Sequence, residues 1–240
     1  MARMQFSVEH LAYFANRQDA GRQLAERLAH RHEPDPLVLA LPRGGVPVGY
    51  EIAARLAAPL DVLLVRKLGA PGFPELGLGA VVDGPNPQRI LNERVVEAVQ
   101  PPPGWIEAEE ARQLEVIARR KRLLRRGRAP EPLRGRTVIL VDDGIATGGT
   151  VRVALRALSQ AGVRHVVLAV PVAPPTVLAT LPVEPEDLVC LLMPSGFQSV
   201  GQYYADFEQV SDEEVVELLE RSQQALQIAQ QDLQDRRAMR

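Results

Sequence analysis

The segment Val138-Ile139-Leu140-Val141-Asp142-Asp143-Gly144-Ile145-Ala146-Thr147-Gly148-Gly149-Thr150 constrains this chain more than any other stretch. Four apolar residues make a strand that ends at two adjacent carboxylates, and a loop of small residues then opens a helix. In an open α/β sheet, ligands bind beyond the carboxyl ends of the strands, so a site is expected here. Gly148 and Gly149 let backbone N–H groups approach a ligand closely, Thr147 and Thr150 add hydroxyls, and the following helix presents its positive end. That is the chemistry of a phosphate cradle. Asp142 and Asp143 would repel a phosphate but accept hydrogen bonds from neutral hydroxyls. A ligand with a diol on one side and a monophosphate on the other, such as a ribose 5-phosphate, fits both halves. The other common phosphate loop needs a Lys before its Ser or Thr, and here Gly149 precedes Thr150.

The rest of the chain supplies a sheet for this segment. Residues 37–41, 61–65, 138–141, 165–170 and 188–192 are short runs rich in Val, Leu or Ile, the pattern of strands covered by helices on both faces. Segments 19–30, 46–56 and 151–160 suit helices between them, and Gly162 stands where a helix would stop. The fold class that follows is α/β, a mostly parallel twisted sheet flanked by helices. Its core spans about 15–210. Pro101-Pro102-Pro103-Gly104 breaks the rhythm before a long helical stretch at 105–126, so about 101–128 is an inserted helical segment. That stretch begins with Glu107, Glu109 and Glu110 and ends in basic residues, which complements the helix macrodipole. The basic run from Arg119 to Arg128 reads as a solvated helix end or a face toward a partner subunit, because no aromatic residues interleave it to stack on bases. Ser211 and Glu214 form a capping box that starts a docked helix within a region at 193–220. Residues 221–240 are glutamine-rich and read as a flexible tail.

With 46% hydrophobic and 24% charged residues among 240, the balance is that of a globular chain. A formal charge of −2 disfavours a global electrostatic grip on nucleic acid. The single Cys190 excludes an internal disulfide and a cysteine-built zinc site, and inside an apolar run it reads as a buried strand residue. No apolar stretch approaches the ~18 residues that span a bilayer, and residues 1–11 lack a signal-peptide core. The expectation is a soluble cytoplasmic protein.

Residues 138–150 resemble the phosphoribosyl-pyrophosphate-binding signature of type I phosphoribosyltransferases. The resemblance implies that family's core under a variable hood, with Asp142 and Asp143 contacting the ribose 2′ and 3′ hydroxyls. It also implies that Gly144, Ile145, Ala146, Thr147, Gly148, Gly149 and Thr150 bind the donor, 145–150 wrapping its 5-phosphate. Leu41-Pro42-Arg43-Gly44-Gly45, after the first strand, is similar to the family's pyrophosphate loop. There backbone amides at Gly44 and Gly45 would hold the diphosphate and Arg43 would add a charge-assisted contact. Members often carry a non-proline cis peptide in this loop. Arg66 and Lys67 lead into 68–79, a stretch so punctuated by glycine and proline that a regular element is not expected. It resembles the family's flexible catalytic loop, which gives Lys67 and Arg66 a place near the pyrophosphate. Glu75 would touch the base or ribose, or else face solvent. The aromatics of 193–197 and 203–207 would belong to the hood, either stacking on a planar base or lidding a small core.

The activity so implied is transfer of ribose 5-phosphate from phosphoribosyl pyrophosphate to a small nitrogenous acceptor, a nucleobase or similar, with release of pyrophosphate. Magnesium would be bound mainly through the substrate and only indirectly by Asp142 and Asp143. Enzymes of this family that act on 6-oxopurines commonly place an Asp where this chain has Ala146, which disfavours hypoxanthine and guanine. The alternative is a regulatory protein of the same fold that binds phosphoribosyl pyrophosphate or a nucleotide without transferring anything. A homo-oligomer is compatible with either reading, and membrane association with neither.

Overall fold

The computed structural model describes residues 13–31, 33–83 and 87–238; the reading of residues 1–11 lies outside them. In chain order, α1 (Arg17–Leu28) leads to β1 (Pro36–Ala40), α2 (Gly45–Leu56) and β2 (Leu60–Val62). A separate antiparallel sheet follows, made of β3 (Val65–Ala70), β4 (Phe73–Val82) and β5 (Gln88–Leu91). Helices α3 (Glu93–Val99) and α4 (Trp105–Arg125) return the chain to β6 (Thr137–Val141), α5 (Gly149–Gln160) and β7 (His165–Val172). The single turn α6 (Pro175–Leu178), β8 (Leu188–Leu192) and α7 (Asp212–Ala238) complete it.

The five apolar runs form one parallel sheet in the order β2-β1-β6-β7-β8. Side chains alternate between its faces, as strand geometry requires. Leu37, Leu39, Val138, Leu140, Leu168 and Val170 are buried with α5, whereas Val38, Ala40, Ile139, Val141, Val167 and Ala169 are buried with α1, α2 and α7. Burial on both faces explains why these strands read as unbroken apolar runs. With β1 and β6 adjacent, the loops after their carboxyl ends lie side by side.

The structure corrects four expectations. The strand expected at 61–65 leaves the sheet after Val62: Leu63 N–H still donates to Ala40 O at 3.0 Å, and Val65 already belongs to the second sheet. Residues 68–79 are not irregular but form most of the β3–β4 hairpin, anchored by the fully buried Leu68 and Leu78. Register shifts between Leu68 and Ala70 absorb its irregular spacing. Gly69 is needed for close approach, since a Cβ there would stand 2.9 Å from Pro74 Cα.

The basic run is a solvated helix end only in part: Arg119, Arg122 and Arg126 are exposed, but other members reach inward or across to neighbouring elements. Arg125 is buried and donates to Asp61 Oδ1 at 3.0 Å, Asp83 Oδ2 at 2.9 Å and Val62 O at 3.0 Å. Lys121 pairs with Asp83 at 2.7 Å, Arg120 with Asp212 at 2.6 Å and Arg126 with Glu220 at 3.1 Å. These side chains tie α4 to the sheet and to α7. The segment read as a tail continues α7 to Ala238, with Ser222 buried and the Arg221 guanidinium 5.3 Å from the Tyr50 ring centroid. Cys190 is half-buried in β8, where its S–H donates to Leu192 O at 3.2 Å and burial pushes the thiol up to about 11. No helix among the described residues is long and apolar enough to cross a membrane.

Candidate functional site

The site begins where two loops touch. Leu41 N–H donates to Val141 O at 2.8 Å, and the Pro42–Arg43 peptide is cis. A Cβ on Gly44 would overlap Asp143 Oδ2, and one on Gly45 would stand 2.8 Å from Val141 O. Both glycines are therefore required for the two loops to pack.

Beyond the carboxylates the chain divides in two. Ile145 is an anchor: its side chain is buried and its N–H donates to Val172 O at 2.9 Å. Ala146 and Thr147 are exposed just before α5 and Gly149 and Thr150 in its first turn, so these four residues are the ones open to an anion, Gly148 between them being buried. Gly148 caps α5 at φ +74°, and a Cβ there would lie 2.8 Å from Val177 Cγ1. Any larger residue at Gly148 strains the fold. Gly149 has ordinary dihedrals and open space around it.

The paired carboxylates have different surroundings. Asp143 Oδ2 accepts from Arg17 Nε at 2.7 Å, and its carbonyl accepts from the Tyr204 hydroxyl at 2.6 Å. Arg17 also donates to Glu208 O at 2.7 Å and stacks 3.8 Å from the Phe207 ring centroid. Burial raises the Asp143 carboxyl above its ordinary range, and the Arg17 guanidinium opposes that rise. Asp142 accepts from Asp143 N–H at 2.9 Å, and burial together with the neighbouring Asp143 carboxylate pushes it well above the ordinary range. Burial, then the Asp143 charge, also raises the Tyr204 phenol.

The hood aromatics pack on one another: Phe14 and Tyr204 at 5.3 Å, Tyr204 and Phe207 at 5.0 Å, Phe197 and Tyr203 stacked at 5.8 Å. Phe14, Tyr203 and Tyr204, with Val172 and the partly buried Phe197, make a small core that joins α1 to the chain after β8.

Between the loops and α4 lies a small pocket of about 80 Å³ lined by Pro42, Arg66, Arg120 and Thr150 among others. Arg120 is a candidate site residue that sequence reasoning missed, because it stands in a basic run with nothing to single it out. Asp212, the first residue of α7, takes Arg120 at 2.6 Å and lies 4.0 Å from Arg43, so it faces both cations. Lys67 lines a second, larger cleft of about 610 Å³ together with Arg66, Thr147, Gly149 and Thr150. Glu75 stands across the hairpin, where its carboxylate accepts from Lys67 Nζ at 2.9 Å; that hydrogen bond and the lysine's charge lower the carboxyl. Glu75 lines neither cavity. Among the described residues no cluster of three His, Cys, Asp or Glu could cage a metal ion.

A mostly parallel sheet carries a Pro-Arg-Gly-Gly loop after one strand and, after its neighbour, two carboxylates with a small-residue loop that opens a helix, and comparison identifies this architecture as a phosphoribosyltransferase-type fold. Residues 5–179 match the family model of the phosphoribosyl transferase domain, and the chain belongs to that family. It is similar to proteins from two strains of Mycobacterium tuberculosis, each provisionally named as a phosphoribosyl transferase, with 47% identity over 209 residues. The match covers 87% of this chain and 47% of those proteins, so the chain spans about half their length. A Thermus thermophilus protein of known crystal structure superposes with a TM-score of 0.75 at 45% identity, over 86% of this chain and 97% of that one.

Proposed function

We propose that this chain transfers ribose 5-phosphate from phosphoribosyl pyrophosphate to a small nitrogenous acceptor, releasing pyrophosphate. The observation that carries the reading is convergence: Asp142, the exposed residues Ala146, Thr147, Gly149 and Thr150, and the cations Arg43, Arg66 and Arg120 all border the junction of the loops after β1 and β6. The 5-phosphate would rest on the amino terminus of α5 and the ribose hydroxyls against Asp142, with Asp143 close behind. The diphosphate would face Arg43, Arg66 and Arg120.

In the reaction, the bond from ribose C1 to the diphosphate oxygen breaks and its electron pair leaves with the diphosphate. The acceptor nitrogen supplies the pair for the new bond and loses a proton. C1 carries positive charge in between, so the protein's work is to position the reactants and to stabilise the departing anion. Magnesium suits this donor set of carboxylate and substrate oxygens, and when bound it neutralises charge on the diphosphate. Asp142 would face it through water. Ala146 offers no carboxylate to an acceptor base, which argues against 6-oxopurines. The lone half-buried thiol of Cys190 fits a reducing compartment, and on that ground we place the protein in the cytoplasm.

The test is calorimetric titration of phosphoribosyl pyrophosphate with and without magnesium, with Gly149→Asp as control. An acidic residue at the first position of α5 suits the helix but repels a phosphate. Magnesium-assisted binding lost in that variant supports the donor site, and a pyrophosphate-release screen across nitrogenous acceptors then reads the transfer. Binding that survives in Gly149→Asp would remove the cradle from the account. Binding without turnover on any acceptor would favour the regulatory alternative.

A further inference from the structure

The cleft of about 610 Å³ between the hairpin and α5 extends past anything a ribose 5-phosphate in the cradle would touch. Arg66 and Lys67 stand on its β3 wall and Arg152 and Arg156 on its α5 wall. The two α5 residues are four positions apart and so share one helix face. Arg156 lies six residues beyond Thr150, about 9 Å along the helix at 1.5 Å per residue. A monophosphate held at 146–150 does not reach it.

Most of the charge of this cleft is uncompensated. None of its lining residues is a carboxylate. Arg66 donates to the neutral amide of Gln113 at 3.0 Å, and Arg152 to the neutral hydroxyl of Thr180 at 2.7 Å. Lys67 alone of these three holds an acid, Glu75, from outside the lining. Like charges on facing walls of a low-dielectric cleft focus the field and raise the local concentration of anions. The remaining surface is of another kind: Ile90, Leu91 and Val153 give an apolar ledge, and Asn92 beside them offers an amide donor and acceptor. Cations on two walls, some apolar surface and one amide suit a phosphate chain joined to a heterocycle. The volume lies within the range of small-molecule sites.

We propose that this cleft is a second binding site, for a nucleoside polyphosphate, and that its occupant acts as an effector beside the donor. Its phosphates lie between Lys67, Arg152 and Arg156, Arg66 being left to the donor's diphosphate in the smaller pocket that it also lines, and its base rests against Leu91 and Val153 with an edge toward Asn92. Because Thr147, Gly149 and Thr150 border both the cleft and the cradle, occupancy of one site alters affinity at the other, reciprocally. The effector role rests on the transferase reading, whereas binding at the cleft does not.

The experiment titrates ATP into the full chain, with inorganic triphosphate and adenosine as phosphate-only and base-only probes, with and without saturating phosphoribosyl pyrophosphate. Arg156 is exposed on α5, so Arg156→Glu keeps the fold. ATP is expected to bind more tightly than either probe, and the variant to weaken ATP about tenfold or more, as loss of a charge-assisted contact does. Donor binding in the same variant, measured without ATP, should stay within about twofold. No ATP binding to the wild-type chain, binding that Arg156→Glu leaves unchanged, or one-for-one displacement of ATP by the donor would each overturn the proposal. If the donor fails to bind while ATP binding and its sensitivity to Arg156→Glu persist, the cleft stands and the transferase reading falls.

Discussion

Arg17 joins the aromatic cluster after β8 to the paired carboxylates after β6, and its replacement tests that link. Arg17→Met keeps most of the apolar stem but removes the guanidinium that donates to Asp143 Oδ2 at 2.7 Å. Breaking a buried ion pair costs about 3–5 kcal/mol because the remaining charge stays buried and unpaired. Here the side chains are 10% and 16% exposed, so solvent screens part of that penalty and about 2–3 kcal/mol remains. For a chain of this length the unfolding entropy is about 0.5 kcal/mol/K, so the midpoint should fall by about 4–6 °C.

The loss depends on pH in a defined sense. The Asp143 carboxyl is already raised above its unfolded value, and without Arg17 it rises further. A group with a raised folded value binds more protons folded than unfolded, so stability falls as pH climbs from the unfolded value through the folded one. The variant should therefore lose least in mild acid and most near neutrality and above. Thermal denaturation of wild type and variant at about pH 5 and about pH 8 measures this. A difference below about 0.5 kcal/mol at the higher pH, or one equal at both, would refute the assignment of Arg17 as the counter-charge of Asp143.

Four further outcomes are expected. Asp142→Asn should weaken donor binding about tenfold or more, the worth of a charged hydrogen bond. Because burial makes the ionised Asp142 unfavourable, the same variant should melt no lower than wild type, so calorimetry and a melting curve together separate binding from folding. Gly44→Ala should disturb both loops, since its methyl group would overlap Asp143 Oδ2; a melting point and a donor affinity that both match wild type would show that the loops can separate at no cost. Lys67→Ala should lower kcat more than it raises KM, which steady-state kinetics of the pyrophosphate-release assay resolves; a pure KM effect would assign Lys67 to substrate holding. Finally, with its thiol pushed up to about 11, Cys190 should alkylate roughly 100-fold more slowly than an exposed cysteine near pH 8, and faster as pH rises, followed by mass spectrometry with iodoacetamide.

Much of the fold was legible because it rests on local pattern. The apolar runs 37–41, 138–141, 165–170 and 188–192 announced parallel strands, since a strand covered on both faces has few polar positions to hide. The run of residues 138–150 announced its own local architecture, because strand, carboxylates, small-residue loop and helix follow one another without a gap. Where the sequence misled, the cause was a partner far away along the chain. Glycine and proline in 68–79 mark a broken element only if nothing packs against them. Here Leu68 and Leu78 are buried, and Trp105 Nε1 donates to Gly69 O at 3.1 Å from α4.

The basic run shows the same limit, for Arg125 meets Asp61 and Asp83 from positions 64 and 42 residues away. By itself, then, the sequence determined that this chain builds an α/β sheet with two carboxylates and a small-residue, helix-opening loop at the end of one strand, because those features are written in consecutive residues. Tertiary structure alone decided that Asp143 belongs to Arg17, that Arg120 shares a pocket with Arg66 and Thr150, and that four cations line one cleft. Electrostatic partnership depends on distance in space, and no spacing along a chain encodes it until the chain has folded.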